Sequence, residues 1–376
     1  MTSGRIAQEG GFCATSVDVA QLCESAVNGL VPMFDVERQL FCFRLKQTQL
    51  GLVREGVSHR YTIIALLGLH NYQGLCLSVR IDAGAVLNGL LRDAAWINNI
   101  GDLGLLLWLC ALVSPERLEE VYSNLKVRSA QSHFRGAAEG RTMELAWFLS
   151  GLAHAGTASG QKLPDLGELA VRTYRLLKEN QGAGGPFGHV FRDRILTGVL
   201  RARIGSFADQ VYPIYALAKF GSVFQVPSVL GAAQKCADAI CRLQGDLGQW
   251  WWHYHSQTGR VLEHYPVYAV HQHGMAPMAL FALTEATQID FSEPIYKGLR
   301  WIAGNNELAA DLRVVSSGLI WRSIYHRRTH RKYFRSALRF LGLAGSEPAD
   351  DLKIRFECRP YELGWLLYAF AARSVH

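Results

Sequence analysis

Six apolar stretches, each long enough for a helix and hydrophobic nearly all round, recur along this chain at about 59–71, 102–114, 143–156, 209–221, 273–287 and 361–373. A helix apolar on every side has to be buried. Between them lie amphipathic stretches at about 16–30, 81–93, 115–127, 165–180, 228–243 and 292–304, charged on one side only. Leu166-Gly-Glu-Leu-Ala-Val-Arg-Thr-Tyr-Arg-Leu-Leu-Lys178 shows the pattern. Buried helices alternating six times with half-exposed ones describe an inner ring wrapped by an outer ring. The fold expected is all-α: an (α/α)6 toroid of six helical hairpins with short β-hairpin loops at the mouth. The hairpins run approximately 16–71, 81–114, 115–156, 165–221, 228–287 and 292–373, within one domain spanning 1–376.

The inner stretches align on one another. Glu144-Leu-Ala-Trp-Phe-Leu matches Glu362-Leu-Gly-Trp-Leu-Leu, and Asp102-Leu-Gly-Leu-Leu-Leu fits the same template. Nine positions after each start comes a small residue: Gly68, Ala111, Ala153, Ala218, Ala282 and Ala371. Small side chains there let neighbouring inner helices approach closely. The aligned starts are then His59 or Arg60, Asp102, Glu144, Asp209, His273 and Glu362.

A second repeat marks two outer-helix ends. Gln181-Gly-Ala-Gly-Gly-Pro-Phe187 and Gln244-Gly-Asp-Leu-Gly-Gln-Trp250 both read Q-x3-G-x-aromatic, in register with the hairpin repeat. Glutamine can satisfy free backbone groups at a helix end, glycine permits the reversal, and the ring plugs the gap between hairpins. On this motif the chain resembles the terpenoid cyclase and protein prenyltransferase toroids with their QW repeats. The same ring is found in six-hairpin glycoside hydrolases, polysaccharide lyases and sugar epimerases. The resemblance covers about 16–374. It implies a fold, and a fold does not fix a function.

In such a ring the inner helices run parallel, so their N-termini converge on one mouth, where polar first-turn residues form a natural binding site. Acids in a first turn also complement the helix dipole without any further role. That account suits Asp102, Glu144, Asp209 and Glu362 individually but not His273. The segment Trp250–Gly274 is dense in aromatics and carries five histidines, His253, His255, His264, His271 and His273. Ser256-Gln-Thr-Gly259 reads as a hairpin turn, with His253 and His255 on one strand face. The histidines lack a Cys or carboxylate at a zinc spacing, so no cofactor is expected, with a metal ion kept as the lesser alternative.

The expected catalytic set is Asp209, His273, Glu144, Glu362 and Asp102, with Asp209 and His273 as the acid/base pair on adjacent hairpins. Substrate contacts are expected from His59, Arg60, Tyr61, Gln210, Tyr212, Trp252, His253, Tyr254, His255, His271, Gln272, Arg359 and Tyr361. Arg60, Arg359 and the basic cluster at 322–339 are candidates for neutralising a uronate.

Three function classes stay open. A carbohydrate-active enzyme (hydrolase, lyase or epimerase) acting on a glycan, acidic if the arginines bind it, uses the most mouth residues. Isoprenoid chemistry is the alternative, but DxDD is absent and no Cys stands near Asp209 or His273 for a prenyltransferase zinc site. A non-catalytic binding toroid is the third.

Composition narrows the setting. The formal charge is +7 over 376 residues, and no groove-reading motif accompanies it, so nucleic acid is not an expected partner. Seven basic residues from Arg322 to Arg339 form either a solvated face or a patch for an anion or a membrane surface. The eight cysteines include no CxxC pair, and the first 30 residues lack a signal-peptide pattern. Free thiols and a cytosolic location are the expectation, with the oligomeric state left open.

Overall fold

The computed structural model describes residues 17–72, 81–93, 95–131, 141–160, 162–190, 203–327 and 351–373, with side chains in 125–131 set aside. Its helices are α1 (Val19–Leu30), α2 (His59–Asn71), α3 (Ala83–Arg92), α4 (Ile100–Val113), α5 (Leu118–Gln131), α6 (Thr142–Ser159), α7 (Leu166–Glu179), α8 (Ala208–Val223), α9 (Leu230–Arg242), α10 (Ala276–Thr287), α11 (Ser292–Ile302) and α12 (Pro360–Phe370). The even-numbered ones are the apolar stretches read from sequence, and they form the inner ring. Each packs on the next, α2 on α4, α4 on α6, α6 on α8, α8 on α10, α10 on α12, and α12 back on α2. The odd-numbered helices form the outer layer.

The hairpins close differently from the expected outer-then-inner order. α5 lies on α4, α7 on α6, α9 on α8, and α1 lies on α12 at the other end of the chain. The first and last helices therefore close the ring together. α3 keeps the expected order and packs on α4.

Glycine sets the spacing of the inner helices. A Cβ on Gly68 would stand 2.2 Å from the Gly364 carbonyl oxygen, and one on Gly151 would stand 2.3 Å from that of Gly104. Gly68 was expected at a close approach. Its partner Gly364, and Gly104 opposite Gly151, lie two residues after their acids, an offset the alignment did not single out.

The two Q-x3-G-x-aromatic turns are built alike. Gln181 donates from Nε2 to the carbonyls of Gly185 (2.9 Å) and Ala232 (2.8 Å). Gln244 donates likewise to Gly248 (3.1 Å) and Pro294 (2.9 Å). Each glutamine thus ties its own turn to the next outer helix, α9 or α11. Gly185 and Gly248 adopt φ of 105° and 102°, and Phe187 and Trp250 are fully buried.

Short strands gather in the connections. Leu40–Thr48 pairs with Gly51–Val57 and also with Glu357–Cys358. His253–His255 and Val261–Glu263 form the hairpin expected around Ser256–Gly259, and Ile204–Ser206 adds a third strand. Six cysteines fall among the described residues, five of them buried. Among the described residues no helix is long and apolar enough to cross a membrane.

Candidate active site at the ring mouth

The mouth begins with α2, α4 and α6. Asn99 caps α4 by accepting from the Asp102 N–H (3.1 Å), which leaves the Asp102 carboxylate free to turn toward α2. It takes a two-point pair from Arg60, through Nε and through Nη2 (3.1 Å), and accepts from the Asn98 N–H (2.9 Å). Gly101 lets α4 start against α6, since a Cβ there would meet the Glu144 Cα at 2.9 Å. Glu144 therefore stands beside Asp102. Burial pushes its carboxyl above the usual carboxylate range, opposed by Arg141 (3.8 Å away) and Arg60 and assisted by the Asp102 charge.

On α8, Asp209 is fully buried and takes three hydrogen bonds. The donors are the Ser206 N–H (2.8 Å), the Ser206 hydroxyl (2.8 Å) and His189 Nδ1 (3.0 Å). His189 follows the first Q-x3-G-x-aromatic turn. Its N–H donates to the Ile204 carbonyl (2.9 Å), and its carbonyl accepts from the Thr142 N–H (2.9 Å) at the start of α6. The imidazole is one-third exposed and close enough to Glu144 for its charge to act on that carboxyl. His189 carried no repeat signal of its own; only its position just past the turn could have pointed to it.

This corrects the expected pairing of Asp209 with His273. His273 lies in a single π turn, His271–Met275, ahead of α10. The ring is fully buried, neither nitrogen has a hydrogen-bond partner, and burial drives its pKa down to about 3. It offers no nitrogen to solvent. Its neighbour His271 is also buried and lowered to about 3, chiefly by desolvation, with its ring 4.4 Å from that of Phe207.

Other expected contacts are used up internally. Gln210 braces the preceding loop, donating to the Phe187 (3.0 Å) and Ser206 (2.9 Å) carbonyls and accepting from the Phe187 N–H (2.7 Å). Gln272 is buried and donates to the Tyr268 carbonyl (3.2 Å). Tyr212 accepts from Trp365 Nε1 (2.9 Å) and is buried beneath the mouth. Tyr254 is buried and accepts from the Trp251 N–H, and His255 braces its turn by accepting from the Thr258 N–H (both 3.1 Å). His59 stacks on Trp96 at 5.3 Å. His253 pairs through Nδ1 with Glu263. Trp252 stays half-buried, its ring 5.0 Å from that of Tyr268.

The last quadrant is a charge network. Arg322, expected in a surface patch, is instead only 7% exposed. It pairs with Glu362 and Glu357 and lies over the Tyr268 ring at 4.8 Å. Arg359 pairs with Glu357 (3.0 Å) and donates to the Tyr61 hydroxyl (3.0 Å). Arg44 also pairs with Glu357 (2.8 Å). Burial would raise Glu357, but Arg359, Arg322 and Arg44 together bring it below the usual carboxylate range. Glu362, more deeply buried, stays raised despite Arg322. Tyr361 faces Tyr61 at 4.6 Å. Of the remaining basic cluster, Arg327 is exposed and residues 328–339 lie outside the described residues.

The mouth thus presents Arg60, Arg141, His189, Glu144 and Arg359 among the rings of Tyr61, Trp252, Tyr268 and Tyr361. Among the described residues no group of three His, Cys, Asp or Glu converges as a metal ion requires.

The ring is an (α/α)6 toroid of six helical hairpins, and the solved structures similar to it in shape include several glycosidases. A possible GH105 member from Salmonella enterica serovar Paratyphi A superposes with a TM-score of 0.63 at 11% identity, over 98% of this chain and 96% of that one. An unsaturated glucuronyl hydrolase from Streptococcus agalactiae gives 0.60 at 11% identity, over 95% and 92%. The unsaturated glucuronyl hydrolase of Bacillus sp. GL1, responsible for glycosaminoglycan degradation, gives 0.57 at 13% identity, over 96% of both. None of the three is an isoprenoid enzyme, so the prenyltransferase side of the resemblance gains no support from them. At such identities the likeness shows the fold. No protein-family profile and no curated protein matches the chain.

Proposed function

We propose that the mouth is the active site of a glycoside hydrolase acting on an acidic oligosaccharide with a uronyl residue at its end. The observation that carries this reading is Glu144: a carboxyl raised by burial, beside the Arg60-paired Asp102 and within the field of His189. Proton donors and acceptors in one pocket with environments that differ in this way are what general acid/base hydrolysis requires. Glu144 protonates the departing glycosidic oxygen. His189, its Nδ1 hydrogen bonded to Asp209, takes a proton from water through Nε2 as that water adds to the sugar. Arg60 and Arg141 face the uronyl carboxylate. The half-buried Trp252 offers a flat face to the ring.

The similar structures lend chemical support. Several are unsaturated glucuronyl hydrolases, and one holds the oligosaccharide dGlcA-Glc-Rha-Glc. The test is a rate comparison between an unsaturated glucuronyl disaccharide and the same disaccharide with its carboxylate esterified. Turnover of the acid at least tenfold faster than of the ester is expected. Equal rates would remove the arginines from the account, and no turnover of either would remove the substrate class.

A further inference from the structure

The inner helices have a second common end, opposite the mouth, and a cavity of about 340 Å³ opens there. This is at the lower end of the range of small-molecule sites, about 300–1,000 Å³. Its lining comes from the C-terminal parts of four inner segments: Asn71 of α2, Lys219 of α8, Glu285 of α10, and Tyr368 and Arg373 in and just after α12. Glu362 at the mouth and Arg373 are eleven residues apart on one helical run, about 16 Å at 1.5 Å per residue. The cavity is therefore separate from the catalytic mouth.

Basic residues at helix C-termini complement the dipole, and Arg373 does cap its own helix by donating to the Ala369 carbonyl (2.8 Å). That account does not cover Glu285, an acid in the last turns of α10, where the dipole opposes it. Glu285 is held by both cations: Lys219 at 3.2 Å and Arg373 in close contact. It fixes them side by side at the cavity rim, with one positive charge left over. Both remain about one-third exposed, so donors stay available to a ligand.

The floor is hydroxyl-rich and ordered. Tyr215 bonds His154 Nε2 (2.8 Å), and its hydroxyl meets that of Tyr368 at 2.6 Å. Burial pushes His154 down to about 3 and both tyrosines well up, so the cluster stays neutral and serves as hydrogen-bonding surface. Met278 and Ala282 supply an apolar wall.

We propose that this cavity is a second binding site for a small hydroxylated carboxylic acid of hexuronate size. Lys219 and Arg373 take the carboxylate, and the tyrosine hydroxyls and Asn71 take the sugar hydroxyls. The site does not depend on the mouth being catalytic.

The probes are sodium D-glucuronate and D-glucose, titrated by calorimetry into the full chain. Lys219→Met and Arg373→Met test the distal cavity, and the exposed mouth residue Arg141→Met serves as control. One class of glucuronate site is expected to weaken at least tenfold in each distal variant while persisting in Arg141→Met. Glucose should bind there at least tenfold more weakly. Thermal melts matching the parent protein show that a loss is local, and if one distal variant unfolds, the other decides. Unchanged glucuronate binding in a folded distal variant, or equal binding of glucose, overturns the proposal.

Discussion

The Asp209 carboxylate accepts a hydrogen bond from Nδ1 of His189, 3.0 Å away, while two further donors from Ser206 hold it in place. A histidine bonded in this way presents Nε2 as its acceptor. Asp209→Asn is expected to lower kcat by about 10²–10⁴, the range of a general acid/base contribution. The Ser206 N–H keeps an acceptor in the amide oxygen, so Tm should fall by only a few degrees. Steady-state kinetics beside a thermal melt check both.

Glu144 gives a pH signature. Its carboxyl is raised by burial, so as a general acid it is active in the protonated form and loses activity as pH rises through that raised value. Arg141 opposes the shift. Arg141→Met should therefore move the alkaline limb of the kcat profile to higher pH. A shift to lower pH, or none, would assign that limb to another group.

The buried histidines set the acid response of the fold. In the unfolded chain they titrate near the ordinary histidine value of about 6.5. In the folded chain His271 and His273 are lowered to about 3. The unfolded state then binds more protons, so the stability they contribute is complete above about 6.5 and is lost as pH falls toward about 3. His273 has no hydrogen bond to lose. His273→Leu should stay within about 1.5 kcal/mol of the parent at neutral pH. At pH ~5 it should be the more stable of the two, because it escapes the proton linkage. Urea melts at the two pH values measure this.

Arg322 pairs two buried carboxylates, those of Glu362 and Glu357. Arg322→Met takes the paired cation from the buried Glu362, while Glu357 keeps Arg359 and Arg44, and should destabilise by about 3–5 kcal/mol. A chemical denaturation curve that moves by less than about 1 kcal/mol would show that the network relaxes around the loss.

The glutamine ties are testable in the same way. Gln181→Ala removes two donated hydrogen bonds and should cost about 1–3 kcal/mol. Gly248→Ala should cost more, since φ is 102° and a Cβ would sit 2.3 Å from the Lys297 carbonyl oxygen.

The sequence carried the ring because burial on all sides leaves a clear mark. Five of the six inner helices start within two residues of the expected positions, α10 starts three residues late behind its π turn, and both glutamine turns form as their spacing suggested. The site was only half legible. Asp102, Glu144 and Arg60 were visible because they sit at aligned helix starts, and they do meet at the mouth. His189 lies in an irregular connection with no periodicity to mark it. Arg322 looked like part of a surface run, but a short strand pairing from Ser323 carries it inward to Glu362. His273 matched the alignment of helix starts, yet the π turn at 271–275 ends in a ring with no exposed nitrogen, which no residue spacing could reveal.

The most direct test of the central claim is kcat for hydrolysis of an unsaturated glucuronyl disaccharide by the parent protein and by Glu144→Gln, with melting curves for both. The account predicts clear turnover by the parent and a fall of about 10²–10⁴ in a variant that melts like it. Full activity in a folded Glu144→Gln would contradict the assignment of the mouth.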